Sequence, residues 1–326
     1  MSKKVENLKV IKTGVIGVGH LGAFHAEKYA LLDNVELVGV YDLNLNQARE
    51  VGNKLSVPAF QNLNDLLMKC QAVSIAAPTS AHFELARKAL LKNIDVLIEK
   101  PITTTENEAQ TLIELANEYK CILQVGLLER FNPAFTETRN HLLNPRFIEV
   151  HRLSPFSFRS IDIDVILDLM IHDIDLVHEI IQSPITSIDA VGVPVISKQT
   201  DIANVRIHFQ NGAVANLTAS RVSLNPERRI RIFQPDSYFS LDFGNFSATI
   251  CHRQEGSYLE PLPKVTTEEL TYPKSDNLRL EIEDFIDAIR HRRKPIVSGN
   301  EGLLALSTAI RIKETIKKQQ YTWEDV

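Results

Sequence analysis

Cysteine is scarce in this chain, with Cys70, Cys121 and Cys251 the only three among 326 residues. They are odd in number, widely separated and in no metal-ligand spacing. That excludes a disulfide framework and fits a reducing compartment. Basic charge is not in excess either. Lys and Arg number 36 against 41 Asp and Glu, leaving a net charge of −5. Such a balance argues against a duplex-binding surface, so nucleic acid is not an expected partner, although a local anion pocket stays open. No apolar run approaches the roughly 18 residues that span a bilayer. The polar start, Met1 to Lys9, has no apolar signal core. A cytoplasmic protein with no membrane partner is expected. The one basic run, Arg290–Lys294, follows a helical pattern and reads as cations at a helix C-terminus.

What is present describes an ordinary globular enzyme, 44% hydrophobic and 24% charged, and long enough for two domains. Up to residue 126, short apolar runs alternate with helical patterns, as a parallel α/β sheet requires. Strands are expected at Lys12–Ile16, Val35–Tyr41, Ala72–Ala76, Asp95–Ile98 and Ile122–Val125. Helices are expected near Leu21–Leu31, Leu45–Lys54, Asn62–Lys69, Ala81–Leu91 and Glu106–Tyr119, the last capped by Thr104 or Thr105. After Gly126 one helix, Asp164–Ile181, precedes six β-rich runs between Ile188 and Cys251. Asn211-Gly212 marks a hairpin between two of them. The fold class is therefore α/β plus α+β, a dinucleotide-binding domain followed by a mainly antiparallel sheet domain. The expected boundaries are 1–126, 127–279, and C-terminal helices over 280–326 interrupted at Pro295.

Gly17-Val18-Gly19-His20-Leu21-Gly22 falls where a strand ends and a helix begins. The first glycine permits a tight turn, the second lets backbone approach a pyrophosphate, and the third lets helix and strand pack closely. Free N–H groups at the helix start then stabilise phosphate. Asp42 ends the next strand twenty residues after Gly22. Its carboxylate suits ribose hydroxyls and repels a 2′-phosphate, so NAD is expected over NADP. The plainer reading makes Asp42 a helix-start residue.

Glu99-Lys100-Pro101 closes a buried strand at the carboxyl edge of the sheet, where ligands bind in open α/β sheets. A lysine there, partly desolvated, can serve as the base for an alcohol proton. A structural lysine paired with a carboxylate is the alternative. Asp168 and His172 lie four apart on one expected helix and can interact. Asp173 and Asp175 follow among apolar neighbours and need partners. His172 is the natural proton carrier near neutral pH. A plain ion pair is the competing reading, and no further His or Cys supports a metal, so none is expected.

The glycine loop, Ala76-Ala77-Pro78-Thr79 with His82, Glu99-Lys100-Pro101 and Asp168-x3-His172 together resemble the Gfo/Idh/MocA oxidoreductase family across essentially the whole chain. The resemblance implies a Rossmann domain and an open-faced antiparallel sheet used in homodimer or homotetramer contacts. It also implies C-terminal helices packed back on the Rossmann domain. By this likeness Lys100, Asp168 and His172 are catalytic. Gly17, Gly19, His20, Leu21, Gly22, Asp42, Ala77, Pro78, Thr79, His82, Glu99 and Lys100 bind cofactor.

Glu129-Arg130-Phe131-Asn132-Pro133, the segment Val165–Asp175 and Thr218-Ala219-Ser220-Arg221 are similar to the branch that oxidises UDP-N-acetylglucosamine sugars at C3. Glu129, Arg130, Asn132, Arg159 and Arg221 are then expected at the substrate, with Arg228 and Arg229 adding to an arginine supply for a diphosphate. A pathway aminotransferase is an implied partner. Two departures stand out: Leu127 where relatives often carry histidine, and Asp164 where many have glycine. A cyclitol or free-sugar dehydrogenase and a non-catalytic NAD-sensing regulator are the alternatives.

Overall fold

The computed structural model describes residues 9–157, 163–254 and 264–324, with side chains described through Gln319. The chain forms two units, Met1–Leu127 with Asp276–Leu303, and Leu128–Ser275 with Leu304–Val326.

The first unit alternates strand and helix: β1 (Ile11–Ile16), α1 (His20–Leu31), β2 (Val35–Tyr41), α2 (Leu45–Leu55), β3 (Ala59–Phe60), α3 (Leu63–Leu67), β4 (Ala72–Ile75), α4 (Thr79–Leu90), β5 (Asp95–Glu99), α5 (Glu106–Glu118) and β6 (Leu123–Gly126). All pairings are parallel, in the order β3-β2-β1-β4-β5-β6. Every residue of β4 and β5 is buried, as parallel strands covered on both faces require. The strand order reverses between β1 and β4, which makes their carboxyl ends the natural crevice for a ligand. Thr105 rather than Thr104 caps α5. Its hydroxyl accepts from Glu108 N–H while the Glu108 carboxylate accepts from Thr105 N–H, a reciprocal capping box.

The second unit opens with short 3-10 turns at Leu128–Phe131 and Arg139–His141 around α6 (Pro133–Thr136). Then come β7 (Phe147–Leu153), a π-helical turn at Ile166–Met170, α7 (Ile171–Ile181), β8 (Ile185–Val193), β9 (Ile202–Phe209), β10 (Val214–Ser220), β11 (Glu227–Gln234), β12 (Ser237–Asp242), β13 (Ser247–Arg253) and β14 (Val265–Thr271). The eight strands run in the order β14-β13-β12-β11-β7-β10-β9-β8, antiparallel except for β7 beside β10. Gly212, at φ 83°, turns the hairpin between β9 and β10. Alternation is clean. Ala203, Val205, Ile207 and Phe209 of β9 are buried, whereas Asn204 and Arg206 point outward. The inner face packs on α7 and the π turn. The open face carries Phe147 stacked on Phe233 at 5.5 Å and Arg231 paired with Glu149 at 2.8 Å.

Two helices end the chain, α8 (Asn277–His291) and α9 (Gly299–Glu324). The first buries Ile282, Phe285, Ile286 and Ile289 with Val15, Val18, Tyr29 and Leu37 in the core of the N-terminal unit. From Leu304 onward α9 belongs to the second unit. There Thr308 meets His178 of α7, and Lys313 pairs with Asp164. The segment expected as one C-terminal piece is thus shared between the units.

Three strands exceed the sequence expectation. Short β3 pairs only through two residues. Edge strand β14 is exposed along nearly its whole length, so it has no apolar face to signal it. Strand β7 places a buried arginine, Arg152, where an apolar residue would complete the alternation. The helix expected from Asp164 begins instead as the π turn, capped by the Asp164 carboxylate, which accepts from Ile166 and Leu167 N–H.

Candidate active site

In the N-terminal unit the glycine loop follows β1. Gly17 adopts φ 80°, and a Cβ there would lie 2.7 Å from Ala77 N. At Gly22 a Cβ would sit 1.8 Å from the Gly17 carbonyl oxygen, so the loop closes on the helix only without a side chain. Gly19 differs, for a Cβ added there meets no protein atom within 4 Å. It is also the N-cap of α1, with no side chain on the helix's free N–H groups and no acid in the first turn. His20, Leu21 and Gly22 present those N–H groups. This is a cradle shaped for an anion.

Asp42 closes the same corner. One carboxylate oxygen accepts from Val18 N–H at 2.8 Å and the other from Asn44 N–H at 2.8 Å. A carboxylate has about four acceptor positions, so lone pairs remain for ribose hydroxyls. A carboxylate at the end of β2 and an open glycine at the head of α1 fit NAD.

The opposite lip comes from β4 and β5. Ala77 and Pro78 follow β4, Pro78 is the N-cap of α4 with Thr79 as its first residue, and Lys100-Pro101, joined by a cis peptide bond, follows β5. His82 is expected at the cofactor, yet its ring is buried between the carbonyl oxygens of Ala77 and Pro101, at 2.8 and 2.9 Å. Burial holds its pKa below the ordinary histidine value. The neutral ring has a single N–H, so it donates to one of these two carbonyls, and both nitrogens lie against protein backbone. Glu99 also departs from expectation. Its carboxylate turns inward to His25 Nε2 at 2.9 Å, and its second oxygen accepts from Lys100 N–H at 3.2 Å. Lys100 itself is half-buried.

In the second unit Asp168 lies on the π turn and His172 in the first turn of α7. Both stand on an element held from below by arginines. Arg152 grips Asp173 with two nitrogens at 2.7–3.0 Å and Glu129 at 2.8 Å. Arg130 grips Asp175 at 2.6 and 2.8 Å and Glu179 at 2.7 Å. Desolvation alone would favour the neutral acid at Asp173, raising its pKa, and the guanidinium opposes this. The acidic helix expected from the sequence thus finds its partners. Arg152, which the sequence reading passed over, is the chief one.

These pairs engage several residues of the expected substrate set within the protein. Arg130 is buried and committed to two carboxylates. Arg221, also buried, bonds Asp201, Ser197 and the Ile163 carbonyl. Asp201 accepts three further backbone N–H groups, which pull its pKa well below the carboxylate range. Glu129 faces Arg152. Asn132 caps α6 through Ala134 N–H and donates to Phe243 O. Each has hydrogen-bond partners within the unit. Arg229 pairs with Asp242 on the open face, and Arg159 lies outside the described residues. Arg228 stands on the inner-face side of β11, opposite Arg152, with its side chain 56% exposed and Glu129 at 3.9 Å. Among the described residues, Arg228 is an exposed guanidinium beside this cluster. Among the described residues no cluster could hold a metal ion, and no helix is long and apolar enough to cross a membrane.

Residues 11–127 match the family model for the NAD-binding Rossmann fold of the Gfo/Idh/MocA oxidoreductases, and residues 149–235 match the Gfo/Idh/MocA C-terminal domain. The chain is 42% identical over 308 residues to UDP-N-acetylglucosamine 3-dehydrogenase of Acidithiobacillus ferrooxidans, covering 94% of this chain and 97% of that protein. A solved structure of that enzyme superposes with a TM-score of 0.89 at 41% identity, over 94% of this chain and 98% of the other. The chain is 23% identical to myo-inositol 2-dehydrogenase of Thermotoga maritima, over 95% of this chain and 97% of that protein. GenD2 from gentamicin A biosynthesis, solved in complex with NAD, shares the fold at a TM-score of 0.81 and 16% identity, over 97% of each chain.

Proposed function

Because the chain belongs to the Gfo/Idh/MocA family of NAD-binding oxidoreductases, we propose that it oxidises the C3 hydroxyl of UDP-N-acetylglucosamine, or a close derivative, to the 3-keto sugar. The observation that carries this reading is the 42% identity over 94% of the chain to an enzyme of that name. The site chemistry supports it. Lys100 or His172 takes the hydroxyl proton, and Asp168 orients and charges His172. NAD, when bound, accepts the hydride. His82 and Glu99 fix the loops that present the reacting groups. With Arg130 and Arg221 held in internal pairs, Arg228 is the guanidinium assigned to the diphosphate.

The internal commitment of Arg130 and Arg221 also favours a second reading, a cyclitol or free-sugar dehydrogenase, which has no diphosphate to bind. The 3-keto product calls for an aminotransferase as its consumer, and the chain works as a homodimer or homotetramer through its open sheet face. The test mixes the protein with NAD and UDP-N-acetylglucosamine, plus an aminotransferase and glutamate to draw off the ketone. NADH should accumulate at 340 nm and vanish with Lys100→Ala. A KM raised about tenfold or more in Arg228→Ala, with NAD binding unchanged, supports the sugar nucleotide. A flat trace alongside turnover of myo-inositol overturns it.

A further inference from the structure

Behind the Glu99-Lys100 corner lies a buried hydrogen-bonded chain with no part in binding substrate. His25 sits on α1, one turn past Gly22, with its ring fully buried. Nε2 lies 2.9 Å from Glu99 Oε1, and Nδ1 lies 3.1 Å from Ser74 Oγ on β4. Ser74 Oγ in turn lies 2.7 Å from the hydroxyl of Tyr29, one helical turn further along α1. The other Glu99 oxygen accepts from the main-chain N–H of Lys100. Four residues from three elements therefore meet in one chain: His25 and Tyr29 of α1, Ser74 of β4, and Glu99 at the end of β5.

Chemistry fixes the direction of these bonds. A carboxylate only accepts, so His25 Nε2 donates to Glu99. In the neutral ring Nδ1 then accepts from Ser74, whose oxygen accepts from Tyr29. The other acid facing the cluster is Glu281 of α8, fully buried. Burial, with Glu99 and Asp284 nearby, pushes its pKa well above the usual carboxylate range. That shift favours the neutral acid at Glu281. Cys70, close to Tyr29, is likewise held as the thiol by burial.

A buried histidine of this kind could serve packing alone. Its bonding says more, because from the helix whose first turn forms the phosphate cradle it reaches the carboxylate that accepts from the Lys100 main chain. We propose that His25 is a positioning residue for Lys100: through Glu99 it holds the main chain presenting the lysine, and it does so from the dinucleotide-binding helix itself. Cradle and base are thereby one hydrogen-bonded unit. The proposal rests on the reading of Lys100 as a reacting group.

Asparagine and glutamine divide the two functions of the ring. The Asn amide reaches only the Nδ1 position and keeps Ser74. The Gln amide reaches the Nε2 position and keeps the donor to Glu99. His25→Asn should lower kcat about tenfold or more, since small misplacements of a reacting group are costly, with the Kd for NAD changed less than threefold. His25→Gln should stay within about threefold of wild type. Amine-reactive labelling of Lys100, followed by peptide mass spectrometry across pH, reads the lysine with no substrate present. The labelling profile should shift in His25→Asn and not in His25→Gln, while Lys12 and Lys28 label as before. Equal loss of kcat, NAD affinity and Tm in both variants would mean packing only and overturn the proposal. So would a Lys100 profile unmoved in His25→Asn. If that variant does not fold, Glu99→Gln, which faces His25 with an amide, must shift Lys100 labelling or the proposal fails. Should wild type prove inactive on UDP-N-acetylglucosamine, the substrate reading falls, while the labelling still decides this one.

Discussion

Replacing Asp42 with asparagine tests the cofactor corner most directly. Its carboxylate is pinned by Val18 and Asn44 N–H groups at 2.8 Å each, so it cannot swing away from an approaching nucleotide. A unit charge on a 2′-phosphate about 4 Å away would be repelled by about 4 kcal/mol at an effective dielectric of 20. Partial exposure and salt reduce this to about 2–4 kcal/mol, which is about 30- to 1,000-fold in relative affinity. Asparagine removes the charge and keeps one oxygen. The loop then loses one acceptor, a cost common to both dinucleotides that cancels in their ratio. Calorimetric Kd values for NAD and NADP should show wild type favouring NAD strongly, with the ratio collapsing in Asp42→Asn. Most of the change should be gained NADP affinity, with some loss for NAD from weaker ribose contacts. Raising salt from 50 to 500 mM should narrow the wild-type ratio and leave the variant's unchanged. A ratio that moves less than threefold on substitution refutes the electrostatic account.

The two glycines at the head of α1 should fail in opposite ways. Gly22→Ala, whose Cβ would meet Gly17 O at 1.8 Å, should lower Tm sharply, read by differential scanning fluorimetry. Gly19→Ala, with no protein atom in reach, should melt like wild type and yet bind NAD at least tenfold more weakly by calorimetry. Arg152→Ala strands Glu129 and Asp173 in the interior. It should cost about 3–5 kcal/mol in urea unfolding, much of it recovered when both acids become leucine. His178 is mostly buried, and its pKa is lowered from 6.5 to about 4. Between these values the unfolded chain binds the extra proton, so stability rises with pH across that window and falls toward pH 4. The contribution is up to about 3 kcal/mol, and His178→Gln should flatten that part of the pH–stability curve.

Much of the N-terminal unit was legible because its signals are local. A strand, three spaced glycines and a carboxylate twenty residues on lie within one βαβ unit, where chain geometry dictates their meeting. The second unit was harder for stated reasons. In β7 the inward Arg152 breaks the apolar alternation, and its reason for being there is Asp173, twenty-one residues away. A π turn of five residues is too short for a 3.6-residue period to betray. Arg130 and Arg221 read as phosphate ligands because a sequence shows charges and not their partners. Those partners, Asp175 and Asp201, arrive only with the fold.

The lone parallel pair, β7 beside β10, carries a consequence for how the second sheet comes together. Strands β8 to β10 form one antiparallel run and β11 to β14 another, each pairing strands that are consecutive in the chain. The two runs are joined through β7, which precedes all of them in the chain and pairs with residues more than sixty positions on. Local pairings form early and distant ones wait for loop closure. The first-made strand of this sheet should therefore be the last one docked. In pulse-labelled hydrogen exchange, amides of β7 should gain protection after those of β9 and β12, and earlier protection of β7 would exclude this order of assembly.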